Sequence, residues 1–187
     1  MSVRLIRPKR IVDARGWFEE TWVRRDFAAL GLDTDFCQDN HSCSRGTGTL
    51  RGLHFQRPPH AQAKLVRCIR GRAWDVAVDL RAGSPTWGLW VSAELSADNG
   101  LRLFIPIGYA HGFVTLEADT EIEYKVSDYY AADCEGGIIW DDPGLDLPWP
   151  RPVEIPILSE KDQSLPGFAR FQSPFDYDGV PLTPLEP

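Results

Sequence analysis

The chain has 187 residues, enough for one domain with a substantial core, and its formal charge of −7 argues against nonspecific nucleic-acid binding. No apolar run approaches transmembrane length, and the N-terminal Met1–Arg10 lacks the apolar stretch of a signal peptide. Four cysteines without a C-x-x-C pair are expected as reduced thiols in a cytoplasmic protein, and 16 glycines with 15 prolines suit strands joined by many turns.

In chain order, residues 1–12 read as a strand with basic decoration, and Asp13-Ala-Arg-Gly16 as a turn. Trp17–Trp22 is an aromatic-rich strand candidate. Asp26–Leu30 reads as a short helix closed by Gly31. Residues 38–64 then hold three of the four histidines, His41, His54 and His60. Between Asn40 and Trp74 stand seven Lys or Arg and no acid, which on an acidic chain points to a focused anion site. A solvated basic face is the plainer reading of the same charges. His41 and His60 are read as loop histidines. Leu65–Ile69 and Trp74–Leu80 are strands around a turn at Gly71, the second alternating Trp74, Val76, Val78 and Leu80 against Asp75, Ala77 and Asp79. Leu89–Leu95 alternates again, Ala97-Asp-Asn-Gly100 is a hairpin signal, and Leu101–Ile105, Phe113–Leu116 and Thr120–Val126 follow. Short, regularly spaced strands indicate a mainly β antiparallel sandwich or barrel. From Asp141 onward Pro143, Pro148, Pro150, Pro152 and Pro156 exclude a central strand and predict an extended wrap; Ser159 caps a helical turn, and the Pro-rich tail from Pro174 docks on the body or frays. The whole, residues 1–187, reads as one domain, with a core over about 13–162 and an extension over about 163–187.

Gly100-Leu-Arg-Leu-Phe-Ile-Pro106-Ile-Gly108-Tyr-Ala-His111 resembles the second cupin motif, G-x5-P-x-G-x2-H, which describes a strand, a tight turn and a histidine pointing into a small jelly-roll barrel. In metal-binding cupins the first motif carries H-x-H and a later glutamate. Here His54-Phe-Gln56 has an amide in place of the second histidine, and no acid follows before Asp75. No metal and no cofactor are therefore expected.

More specifically, the chain resembles the dTDP-4-dehydrorhamnose 3,5-epimerases, cupin-type enzymes of nucleotide-sugar metabolism. The resemblance lies in Asp13–Glu20, Gln38–Ser42, Leu50–Gln56, Lys64–Arg67, Asp75–Arg81, Phe104–Phe113, Glu123–Lys125, Gly137–Pro143 and Leu158–Asp162, in family order. Ala63 departs from an expected glycine beside Lys64. The family reaction epimerises carbons next to a ketone, which needs a base on one face, an acid on the other and positive charge near the enolate. The resemblance implies His54 as base, Asp162 as its partner, Tyr124 as acid and Lys64 at the enolate oxygen. Alternation supports Tyr124, which shares the inward face of Ile122 and Val126. The plainer readings are a core tyrosine at 124, a helix-capping carboxylate at 162 and a surface lysine at 64. Arg15 and Arg51 are implied at the diphosphate, Phe18 and Glu20 at the nucleotide across a homodimer interface, and Gln38 and Asn40 at the sugar. His111 and Trp140 complete the expected binding set, His111 as a structural neighbour rather than a catalyst. The substrate class implied is a dTDP-linked 4-keto-6-deoxyhexose. A 3-only epimerase and a non-catalytic nucleotide-sugar-binding cupin remain open alternatives at this point.

Overall fold

The structure is a computed structural model that describes residues 1–150 and 155–186; Pro152 of the proline-rich run lies outside the described residues. Among the described residues twelve strands run β1 Arg4–Ile6, β2 Arg10–Asp13, β3 Gly16–Glu19, β4 Gln38–Ser44, β5 Leu50–Gln56, β6 Lys64–Arg70, β7 Arg72–Asp79, β8 Trp90–Ser96, β9 Arg102–Ile105, β10 Tyr109–Thr115, β11 Thr120–Val126 and β12 Glu135–Gly137. Helix α1 Arg24–Ala29 leads from β3 to β4, and helix α2 Glu160–Gln163 follows β12. Sheet one has the order β1-β9-β6-β11-β4 and sheet two the order β12-β5-β10-β7-β8, every pairing antiparallel. The expected jelly-roll architecture is present as two stacked sheets, which hydrogen bonds do not close into a barrel. β2 and β3 form a separate hairpin.

Several boundaries differ from the sequence reading. The N-terminal strand is two strands, interrupted around Pro8, which has no N–H for a ladder. The aromatic strand stops at Glu19, whose carboxylate turns to buried arginines. His41 lies on β4 rather than in a loop, opposite Glu123 and hydrogen-bonded to Glu121.

Three apolar layers follow from strand alternation. Val66, Cys68, Ala77, Leu103, Ile105, Phe113 and Ile122 pack between the sheets. Leu65 and Phe104, on the outer face of sheet one, are covered by Phe27 and Leu32 of the α1 segment; Ala63 belongs to this cluster, so its methyl fills space there. The Val76/Val78/Leu80 face of β7 turns out to be an outer face. It carries Leu53, Phe55 and Ala110 and is roofed by Leu145, Phe168, Phe171 and Phe175 of the C-terminal wrap. The tail docks: Phe175 and Leu182 are buried, and Asp178 bonds to Arg81 at 2.7 Å. Burying these outer faces is what allows β7 to turn Asp75 inward, toward the site.

Candidate active site

The inward faces of both sheets become polar toward one end of the sandwich. There a cavity of about 430 Å³ opens, lined by Arg51, His54, Lys64, His111, Phe113, Tyr124, Lys161 and Asp162 among others. A second lobe of about 300 Å³ shares His54, Lys64 and Tyr124 and adds Gln38, Asn40, Gln56, Gln62, Tyr130 and Glu135. His54 and His111 come from β5 and β10 of sheet two, where they face each other in register. Tyr124 and Lys64 come from β11 and β6 of sheet one. The imidazole and the phenol therefore stand on opposite walls.

Strict alternation along β5 would put Arg51 and His54 on opposite faces, yet both line the cavity. The β5–β10 register shifts between His111 and Phe113, and Gly52 lies there with φ of +136°. A Cβ at Gly52 would come within 2.6 Å of the Gly112 Cα, so only glycine fits this irregularity.

His54 Nε2 is hydrogen-bonded to Asp162 Oδ1 at 2.5 Å. The carboxylate holds the imidazole proton on Nε2 and leaves Nδ1 as a free base. Asp162 is buried at the start of α2, where its own N–H donates to the Ser159 hydroxyl. The cap is thus made by Ser159, and the Asp162 carboxylate is left for histidine. Burial works to raise the Asp162 carboxyl, but its bond to His54 and the capping hydroxyl hold it below the usual carboxylate range.

Lys64 is buried, and desolvation lowers it to about 8, with Asp75 and Glu135 partly opposing that shift. It is not a surface lysine. His111 is buried and shares Nε2 with both Asp75 oxygens at 3.0 Å; burial pushes it toward the neutral form against the pull of Asp75. Tyr124 is raised by burial, with Arg51 opposing, and so keeps its proton at neutral pH. Arg51 stands at the rim, its guanidinium bonded to the Ser44 hydroxyl and the Cys43 carbonyl. Gln38 donates to Asn40 at 2.8 Å within the second lobe.

Other expected residues are not gathered here. Arg15, Phe18 and Glu20 are exposed on the β2–β3 hairpin and just beyond it, outside both lobes, and Arg15 pairs with its neighbour Asp13. Trp140 also lines neither lobe. It packs on Trp149, which in turn packs on Trp74, on the outer side of sheet two. His60, in the turn after β5, meets Asp128 at 3.2 Å. Among the cavity residues that escaped the sequence reading are Glu135 and Lys161, which form an ion pair linking β12 to α2. Lys161 stands next to Asp162 in a stretch already singled out, whereas Glu135 had no local signal. No group of three or more His, Cys, Asp or Glu side chains suited to a metal occurs among the described residues.

Comparisons with known proteins point to one family. The family model for dTDP-4-dehydrorhamnose 3,5-epimerase matches residues 1–170. A dTDP-4-dehydrorhamnose 3,5-epimerase from Sinorhizobium fredii is 51% identical over 180 residues, covering 94% of this chain and 90% of that protein. The crystal structure of the Bacillus anthracis enzyme of that name, with TDP and PPi bound, superposes with a TM-score of 0.85 at 47% identity, covering 87% and 92% of the two chains. A Legionella pneumophila dTDP-6-deoxy-D-glucose-3,5-epimerase in complex with dTDP-4-keto-L-rhamnose gives 0.85 at 41% identity, covering 90% and 88%. With two stacked antiparallel sheets, an imidazole and a phenol on facing walls, and these relatives across nearly its whole length, the chain belongs to the dTDP-4-dehydrorhamnose 3,5-epimerase family, enzymes of the isomerase class.

Proposed function

We propose that this chain inverts both carbons flanking the ketone of dTDP-4-keto-6-deoxy-D-glucose, giving dTDP-4-keto-L-rhamnose for dTDP-L-rhamnose biosynthesis. The observation that carries this reading is the placement of His54 and Tyr124 on opposite walls of one cavity. His54 Nδ1 takes the proton from the carbon beside the ketone, and the electron pair moves onto the carbonyl oxygen as an enolate. The Lys64 ammonium, nearly dry, stabilises that oxygen. Tyr124 returns a proton to the same carbon from the other face, inverting it; His54 then loses its proton to solvent and Tyr124 regains one from it, and the cycle repeats at the second carbon. Asp162 supports the imidazolium.

Arg51 and Arg15 are assigned to the diphosphate, Phe18 and Glu20 to the nucleotide, and Gln38 and Asn40 to the sugar. The hairpin supports a homodimer: Ile11, Val12, Trp17 and Phe18 on it are all more than half exposed, an apolar surface suited to a second copy. No metal and no cofactor enter this scheme, and the engagement of His54 by Asp162 and of Gln56 by backbone groups supports that. We assign the chain to the cytoplasm as one domain; four unpaired cysteines suit a reducing compartment. Incubation with dTDP-4-keto-6-deoxyglucose in deuterium oxide tests the reading by NMR. Label at both carbons with an L-configured product is expected. Label at one carbon makes the chain a 3-only epimerase, and no label makes it a binding protein.

A further inference from the structure

We infer that Gln56 is a positioning residue, holding the rim of the second lobe in the shape the proposed reaction needs; this rests on that functional reading. Gln56 is buried at the end of β5, two residues beyond His54 on the same inward face. Its Nε2 donates to the carbonyls of His60 at 2.6 Å and Tyr129 at 3.2 Å, while Oε1 accepts the Ala131 N–H at 2.8 Å. Together with the Arg57 N–H on the Cys134 carbonyl and the Gln62 amide on the Asp128 carbonyl, both at 2.7 Å, this amide ties the turn after β5 to the segment after β11, neither of which has a ladder of its own. The second segment is held from the other side by Gln38, whose Oε1 accepts the Tyr130 N–H at 3.1 Å. Gln38 continues to Asn40, and the Tyr130 hydroxyl continues to Glu135 at 3.2 Å. Tyr130, which lines the lobe, therefore takes its place from the backbone that Gln56 fixes, and meets there Gln38 and Glu135, which are set by the β4 and β12 ladders.

The contact set is specific to an amide, because it needs two donors and one acceptor on a single planar group. Histidine has two ring nitrogens in all, glutamate only accepts when ionised, and leucine does neither. Both Gln56 N–H bonds are spent on backbone, so the side chain has no donor left for a substrate and acts through the rim.

The test uses the full chain and Gln56→Leu and Gln56→Glu, measuring kcat and KM for dTDP-4-keto-6-deoxy-D-glucose from about pH 5 to about pH 8, with amide hydrogen exchange on each. Gln56→Leu is expected to raise KM about tenfold and to speed exchange over residues 129–136, leaving β10 and β11 protected. Gln56→Glu should resemble the leucine variant at about pH 8, where its carboxylate faces two carbonyls. Toward about pH 5 the protonated acid donates again, and its kcat/KM relative to the parent should climb about tenfold. A pH-flat ratio with unaltered exchange over 129–136 overturns the inference, as does a loss confined to thermal stability. If the parent protein epimerises nothing, the functional reading fails instead, and hydrogen exchange still decides whether Gln56 holds the rim.

Discussion

Lys64 and Arg67 stand three residues apart on β6 and so point to opposite faces of sheet one, each into a cluster of buried charge. On the outer face, Glu19 is ringed by Arg10 and Arg102 at 3.0 Å and by Arg67 at 3.7 Å, and Arg67 also meets Glu123 at 2.7 Å. Its most buried guanidinium, Arg102, has that carboxylate directly against it. On the inner face, Lys64 has no ion pair within 4 Å among the described residues, and its ammonium sits lowered to about 8. Asp162 is spent on His54 and Asp75 on His111. The outer cluster sets three guanidiniums against two carboxylates at ion-pair distance and pins the hairpin to the body. The inner one keeps an ammonium with no contact partner, where a ligand's negative charge would complete it. A buried charge left unpaired costs stability, and its retention beside an imidazole–carboxylate pair is what marks the site.

The strongest way to break this comparison is through the two facing walls. His54→Ala should abolish deuterium incorporation from solvent at both carbons, because no enolate forms. Tyr124→Phe should still exchange with retention while inversion drops by about 10²–10⁴, the scale of one general acid. Inversion at the normal rate in Tyr124→Phe would leave the tyrosine as core, and exchange in His54→Ala would move the base to His111.

Glu19→Gln attacks the paired cluster. Removing the carboxylate held against the buried Arg102 should cost about 3–5 kcal/mol of stability in denaturant unfolding, with kcat per folded site unchanged. A loss of kcat with normal stability would reverse the assignment of the two clusters.

Lys64→Met should act in the opposite sense, lowering kcat by about 10²–10³ yet raising Tm at neutral pH. The sign follows from linkage. Lys64 falls from 10.5 in the unfolded chain to about 8 when folded, so its burial destabilises fully below about pH 8. That penalty is relieved as pH rises from about 8 to 10.5, and the Tm advantage of the methionine variant should vanish over the same window. A methionine variant less stable than the parent at neutral pH would show that Lys64 is paired after all.

The smallest expected effect sharpens the comparison at its rim. Arg51→Ala removes one charge-assisted contact and should weaken TDP binding by about 1.5–3 kcal/mol in calorimetry. Unchanged affinity would return Arg51 to the solvated surface.

Much of the site was legible because strand period and residue chemistry are local. Alternation on β11 put Tyr124 inward with Ile122 and Val126, and the spacing from Gly100 to His111 described a turn that places a histidine between two sheets. The family motifs then named His54, Lys64 and Asp162 together, and the fold brings all three to one cavity. Alternation on β7 also separated its two faces correctly. It could not say which face was inside, because a face roofed by a C-terminal wrap is as apolar as a core.

What local pattern does not encode is pairing across long sequence separations and across faces. Asp162 reaches His54 over 108 positions, and Glu135 meets Lys161 only because β12 pairs with β5 while α2 closes over it. The Gly52 irregularity turns Arg51 to the same side as His54, against the period of two, because Gly112 of the neighbouring strand leaves no room for a Cβ. Trp140 went the other way: an aromatic in a family motif settled on the outer face, where Trp149 offered a ring to pack on. Residue type determined which chemistry the chain could carry. Backbone register and close packing decided which of those groups share a wall.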